Sequence, residues 1–190
     1  VKYLLSSYYQ GTDYNPYGHH GEESKRGMYR PIGINRNNFV AITQLRAYVP
    51  AEMMGVEWIA VGSNAFNEAV PFYAHVNATP AYLANTGKDA DTNNFYWANR
   101  LAGALADAHY AACISHVERY QLKLASEGHR LLKEFDMAYQ AKPAEDATAY
   151  LTECNQKIAD TAQALTTDLL NKVLFSASVE MKNAFARSDA

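Results

Sequence analysis

Apolar and polar positions alternate along short stretches in the first half of the chain, and the period lengthens for the whole second half. Over residues 39–46, Phe39, Ala41, Thr43 and Leu45 fall on one side of an extended segment, with Val40, Ile42, Gln44 and Arg46 on the other. The alternation is partial, which predicts a strand with both faces mostly covered, ended by Val49-Pro50. A second strand is predicted over residues 56–61, carrying Trp58 and closed by Gly62-Ser63-Asn64, and a third over 72–76, just after Pro71. Sequential strands usually pair, so an antiparallel meander is expected.

From Asp91 onward the spacing is helical. Asp91, Thr92 and Asn93 offer N-caps whose side-chain oxygens satisfy free N–H groups of a first turn. Trp97, Leu101, Leu105, Ala108 and Ala112 recur in steps of three and four and mark a predicted buried face. The alanines at 98, 102, 104, 106 and 111 let another element approach closely. Gly128 is a point of interruption, after which Leu131, Leu132, Phe135 and Met137 resume the apolar side. Pro143 is placed in the first turn of a last helix, where its missing N–H costs nothing, with Glu145 and Asp146 at the positive end of the helix dipole. Leu151, Cys154, Ile158, Leu165, Leu169 and Val173 form that helix's core stripe. Ahead of the strands, residues 1–9 read as the end of a helix begun upstream, 10–13 and 15–18 as turns, and 19–27 as a polar surface loop. The fold class is therefore α+β: short antiparallel strands within 1–90, then a helical region over 91–190 packed with them as one unit.

Composition narrows the function classes. The 190 residues suit one domain, and 48% hydrophobic with 19% charged residues excludes a disordered tail. A net charge of −3 without a Lys/Arg stripe argues against nucleic acid as a partner. No apolar run approaches a membrane span, and the first seven residues are too short and polar for a signal peptide. Cys113 and Cys154 form no paired framework, so reduced thiols and a cytoplasmic setting are expected.

His109, Cys113 and His116 share a helical face, but the two imidazoles lie roughly 10 Å apart along the axis, too far for one ion. No metal or cofactor is expected. Cys113 lies mid-helix among alanines, without the helix N-terminus or cations that activate a thiol, and Cys154 sits on the apolar stripe. His19-His20 is read as solvent-exposed. Tyr8, Tyr9, Tyr14 and Tyr17 either wall a peptide pocket or cover the rim of the sheet. Arg30 and Arg36 flank a Pro31-Ile32-Gly33 turn and offer planar forks suited to a carboxylate. Asn35, Asn37 and Asn38 are potential donors to an oxyanion or a substrate amide; the alternative is that these polar residues cap a strand and build a surface turn. Arg30, between Tyr29 and Pro31 at the approach to a buried strand, stands apart from that alternative.

Tyr29-Arg30-Pro31-Ile32, Gly33-Ile34-Asn35-Arg36-Asn37, Val70-Pro71-Phe72-Tyr73 and Tyr96-Trp97-Ala98-Asn99-Arg100 occur in this order over a span of about 70 residues. In this the chain resembles the later part of the bacterial cysteine-type dipeptidases, N-terminal-nucleophile (Ntn) hydrolases. The resemblance implies the C-terminal part of an αββα fold, with dipeptides as substrate. It also implies a Cys nucleophile at the mature N-terminus whose own α-amino group serves as base, and no cofactor. Since Val1 carries neither thiol nor hydroxyl, the nucleophile is expected upstream and the chain alone is expected to be inactive. By the same resemblance Arg30 is a catalytic candidate, with Asn35 and Arg36 as substrate-binding candidates. A homo-oligomer is expected. A non-catalytic helical interaction module is the competing expectation.

Overall fold

The computed structural model describes residues 1–34, 36–84 and 86–182, so Asn35 lies outside the described residues. A single turn, α1 (Lys2–Leu5), precedes a loop-rich stretch, followed by strands β1 (Phe39–Leu45), β2 (Gly55–Val61) and β3 (Val70–Tyr73). Three helices complete the chain: α2 (Phe95–Ala108), α3 (Tyr110–Ala141) and α4 (Ala147–Val179). The fold is α+β, with a three-stranded antiparallel sheet in the order β1-β2-β3. Helix α4 packs against both α2 and α3, and α3 and α4 together contact β3.

The register puts Ile42 beside Trp58 and Trp58 beside Pro71, and Gln44 beside Val56 and Val56 beside Tyr73. These side chains share one face, and it is the face the helices cover. Gly128 of α3 is the close contact: a Cβ there would lie 2.8 Å from Pro71 Cδ. The glycine read as an interruption thus sits inside a continuous helix and lets that helix lie on the sheet. The other face of β1 is open. Phe39, Ala41, Thr43 and Leu45 are exposed, whereas the partial alternation predicted cover on both sides. β1 is an edge strand, and the described helices lie across its opposite face.

Further expectations are corrected. The third strand starts at Val70 and includes Pro71, because β3 is an edge where a residue without an N–H need not break the ladder. The last helix starts at Ala147, not at Pro143, because Asp146 is its cap and accepts the Ala149 N–H at 3.0 Å. Likewise Asn94 caps α2, accepting from the Tyr96 N–H at 3.1 Å. The buried face of α2 is also not the large-residue one. Ala98, Ala102, Gly103 and Ala106 are buried while Leu101 is 41% exposed, since α4 packs close against the small residues. On α3, Met137 is likewise exposed. The stripe on α4 matches expectation at Leu151, Cys154, Ile158, Leu169 and Val173, all of them buried.

A buried polar cluster fastens β1 and β3 to the helices. Arg46 follows β1 directly and donates from Nη1 to Asp136 Oδ2 at 2.6 Å and from Nη2 to the Met53 carbonyl at 2.6 Å. The Tyr73 hydroxyl donates to Asp136 Oδ1 at 2.9 Å. Asn155 of α4 serves β3 as a strand would, accepting the Tyr73 N–H at 2.8 Å and donating to the Tyr73 carbonyl at 3.0 Å.

Candidate active site

Tyrosines seat the first 38 residues on the helices. The Tyr17 and Tyr110 rings stack at 4.0 Å with only 5° between their planes, and Tyr8 meets both edge-on, at 5.7 and 5.8 Å. Such pairs add to the area they bury. The local chain is folded for this by an Asx turn: Asn15 Oδ1 accepts the Tyr17 N–H at 3.0 Å. The Tyr110 hydroxyl donates to the Tyr8 hydroxyl at 2.6 Å, and the Tyr17 hydroxyl donates to the Asp107 carboxylate. Burial pushes the Tyr17, Tyr110 and Tyr8 phenols upward, and the neighbouring Asp107 carboxylate pushes Tyr17 further. All three therefore remain neutral donors at ordinary pH. At Gly33 the chain passes against α1, its N–H donating to the Leu5 carbonyl at 2.7 Å. A Cβ at that position would run into Ser6 Oγ.

Two cavities adjoin at Arg36. The first, about 220 Å³, is lined by Tyr8, Tyr17, Tyr29, Arg30, Ile34 and Arg36. The second, about 240 Å³, is lined by Arg36, Ser63, Phe66, Arg100, Gly103 and Asp107. The structure thus brings Arg30, Arg36, Tyr8 and Tyr17 to the lining of one cavity. Tyr9 and Tyr14 pack instead with Tyr29, with ring centroids 5.0–6.4 Å apart. Arg30 is exposed, although its place at the approach to a strand suggested otherwise; residues 30–33 are an open turn that precedes the strand by several residues. The asparagines divide. Asn37 braces the turn by donating to the Ile32 carbonyl at 3.1 Å, and Asn38 Oδ1 accepts from Arg100 Nη1 at 3.0 Å.

Sequence reasoning missed the loop after β2, which it took only as a strand stop. Gly62 makes the turn at φ +79°, and a Cβ there would sit 3.2 Å from the Arg100 backbone nitrogen of α2. Next come Ser63, Asn64 and Asn67, each buried, and each with a side-chain atom lacking a partner among the described residues: Ser63 Oγ, Asn64 Nδ2 and Asn67 Oδ1. Buried polar atoms are normally paired, so three in one loop ask for an explanation. The loop is held from outside. Gln121 Nε2 donates to the Ala65 and Asn67 carbonyls at 3.1 and 3.0 Å, and the buried Lys2 Nζ donates to the Asn67 carbonyl at 2.6 Å. Desolvation lowers the Lys2 pKa, with Glu68, 3.7 Å away, acting in the opposite direction. Arg100 and Asp107 were also missed as site residues. The signal lay in the Tyr96-Trp97-Ala98-Asn99-Arg100 element and in the i, i+3, i+7 spacing that puts Arg100, Gly103 and Asp107 on one face of α2.

The other candidate groups lie elsewhere. Cys113 is buried with its Sγ 3.8 Å from the Val173 carbonyl, and burial raises its pKa. Burial likewise pushes the Cys154 thiol up to about 11. His109 Nδ1 lies 2.8 Å from Glu180 Oε2 and His116 Nε2 3.3 Å from Ser176 Oγ, so the imidazoles have separate partners. His19 and His20 are exposed. No described helix is long and apolar enough to cross a membrane.

Residues 1–123 match Peptidase family C69. Over 189 residues the chain is 44% identical to the "Probable dipeptidase A" of Streptococcus pyogenes serotype M18 (strain MGAS8232), covering all of this chain and 39% of that protein. It is 39% identical over 227 residues to the "Dipeptidase" of Bifidobacterium longum (strain NCC 2705), covering all of this chain and 43% of the relative. Against the "Dipeptidase A" of Lactobacillus helveticus it is 35% identical over 174 residues, with 92% of this chain and 36% of that one aligned. The chain therefore spans about two fifths of the length of the curated relatives it matches. The family model covers both cavities and the tyrosine cluster, and on that match the chain belongs to Peptidase family C69.

Proposed function

We propose that this chain is the C-terminal, substrate-binding and scaffold portion of a dipeptidase whose thiol nucleophile lies in another segment of the protein. The observation that carries this is the state of the two cysteines: both are buried and both thiols are shifted away from thiolate, the opposite of what a nucleophile needs. In the Ntn reading, a Cys at the mature N-terminus attacks the dipeptide carbonyl and its thiol proton passes to its own α-amino group. The tetrahedral intermediate expels the C-terminal amino acid as that amine takes up a proton. Water then hydrolyses the thioester. Arg30 and Arg36, which line one cavity, supply guanidinium charge near the thiol and to the substrate.

Supporting the layered αββα arrangement is the open face of β1, where Phe39 is 60% and Leu45 76% exposed. In that arrangement a second sheet, from the rest of the protein, covers this face. Reduced thiols are in line with a cytoplasmic setting. Self-association is part of the same reading, with Leu174, Phe175 and Val179 of α4 as the exposed apolar surface offered for it; light scattering on the full-length protein decides this, and a monomer rejects it.

The nucleophile is tested by alkylating the full-length enzyme with iodoacetamide to the point of inactivation and mapping the label by mass spectrometry. The expected label is on a cysteine outside residues 1–190. Inactivation that tracks labelling of Cys113 or Cys154 overturns the proposal.

A further inference from the structure

The cavity between α2 and the loop after β2 is charged in an ordered way. Arg100 and Asp107 lie on one face of α2, with Gly103 between them, and Arg36, from the chain ahead of β1, also lines the cavity. Neither Arg36 nor Arg100 has an acidic partner within 4 Å among the described residues. Arg100 spends one N–H on Asn38, which leaves most of its five donors uncommitted. Two guanidinium groups facing one cavity repel each other unless an anion lies between them. A third feature points the same way. Ser63 is 7% exposed, lines this cavity, and its Oγ has no partner.

Gly103 is what allows the loop to approach: a Cβ there would come within 3.3 Å of Ser63 Cβ. Asp107 is already oriented, one carboxylate oxygen taking the Tyr17 hydroxyl, and its remaining lone pairs are suited to an ammonium. Seven residues of helix separate Arg100 from Asp107 by about 10 Å along the axis. An extended two-residue chain runs about 7 Å between its ends, a span that the long arginine side chain bridges.

We propose that this cavity holds the two charged ends of an unblocked dipeptide, with Arg36, Arg100 and Ser63 taking its carboxylate and Asp107 its ammonium. The inference rests on the dipeptidase reading and deepens it, assigning preference for free termini to Arg36, Arg100, Ser63 and Asp107. The scissile amide lies between the two held ends, so cleavage takes place in this cavity, and Arg36, which lines both cavities, is the guanidinium shared with the Arg30 side.

Steady-state kinetics on the full-length enzyme test it with three substrates: alanylleucine, its C-terminal amide, and its N-acetyl derivative. The wild type is expected to favour the free dipeptide over either blocked form by at least tenfold in kcat/KM. Arg100→Gln and Arg36→Gln are expected to collapse the preference over the amide, mainly through a higher KM for the free dipeptide. Arg100→Lys is expected to restore part of it. Asp107→Asn is expected to collapse the preference over the N-acetyl form while keeping that over the amide. A wild type that hydrolyses free and blocked dipeptides alike overturns the cavity assignment and leaves the dipeptidase reading standing. So do variants that slow all three substrates by the same factor, which mark the arginines as structural. A wild type that hydrolyses none of the three removes the dipeptidase reading itself, and this inference with it.

Discussion

Opposite ends of the β1–β2 ladder each carry a buried polar cluster, and the two are finished to different degrees. At the end where β1 runs into Arg46, the guanidinium, the Asp136 carboxylate, the Tyr73 hydroxyl and the Asn155 amide interlock at 2.6–3.0 Å. At the end where β2 runs into Ser63, Ser63 Oγ, Asn64 Nδ2 and Asn67 Oδ1 have no partner among the described residues, and Ser63 lines a cavity. Both lie in the same small fold at comparable depth. The difference teaches how to separate polar residues that bond mainly to one another from those whose side chains are left with capacity to spare. The first cluster is closed by its own members except at Arg46 Nε, which has no partner among the described residues; the second is kept in place by others, here Gln121 and Lys2.

Removing a member of the Arg46 cluster should be expensive. Asp136→Ala leaves Arg46 buried and unpaired, and a loss of about 3–5 kcal/mol in urea unfolding is expected. A loss under 1 kcal/mol would show that the pair is incidental. Asn155→Ala strips the Tyr73 N–H and carbonyl of their only partner on the α4 side. It is expected to cost about 2–4 kcal/mol, with faster hydrogen exchange at Tyr73 as the local readout.

The same neighbourhood predicts alkaline sensitivity. Cys154 titrates near 11 in the fold, raised first by burial and also by Asp136, against 9.0 as the ordinary value. A thiol raised in the folded state contributes stability below its unfolded pKa and loses that contribution as pH rises through the folded one. Stability should therefore fall between pH 9 and about 11, by about 2–3 kcal/mol from this group. Cys154→Val should flatten that part of the profile, and an unchanged slope rejects the assignment. Smallest of all is Ser63→Ala. Since Ser63 Oγ has no bond to lose among the described residues, unfolding should shift by less than about 0.5 kcal/mol. A cost above 1 kcal/mol would place Ser63 with the architectural group and weaken the contrast.

Much of the fold was legible wherever one physical rule acted alone. β1 follows from alternation, β2 from an apolar segment closed by Gly62-Ser63-Asn64, and the α4 stripe from helical spacing over more than twenty residues. Errors arose where two rules competed. Pro71 argues against a strand in general but not at an edge, and Pro143 suits a first helical turn that the Asp146 cap pre-empted. The buried face of α2 was misread because size was taken as the sign of burial, when close helix packing selects the alanines instead. Of the candidate site, the sequence offered the Arg30 and Arg36 turn, and both arginines line one cavity. The loop from Ser63 to Asn67 was not visible there, because a missing hydrogen bond is a property of the surroundings and leaves no mark on the residue itself.

Contact between Gly128 and the Pro71 ring has an outcome for the whole inner layer. Neither partner has a rotatable side chain, so at this point the gap between helix and strand is a fixed gauge that no rotamer change can relax. Even the addition of one methyl group would have to lift thirty-two residues of helix away from the sheet, or bend them.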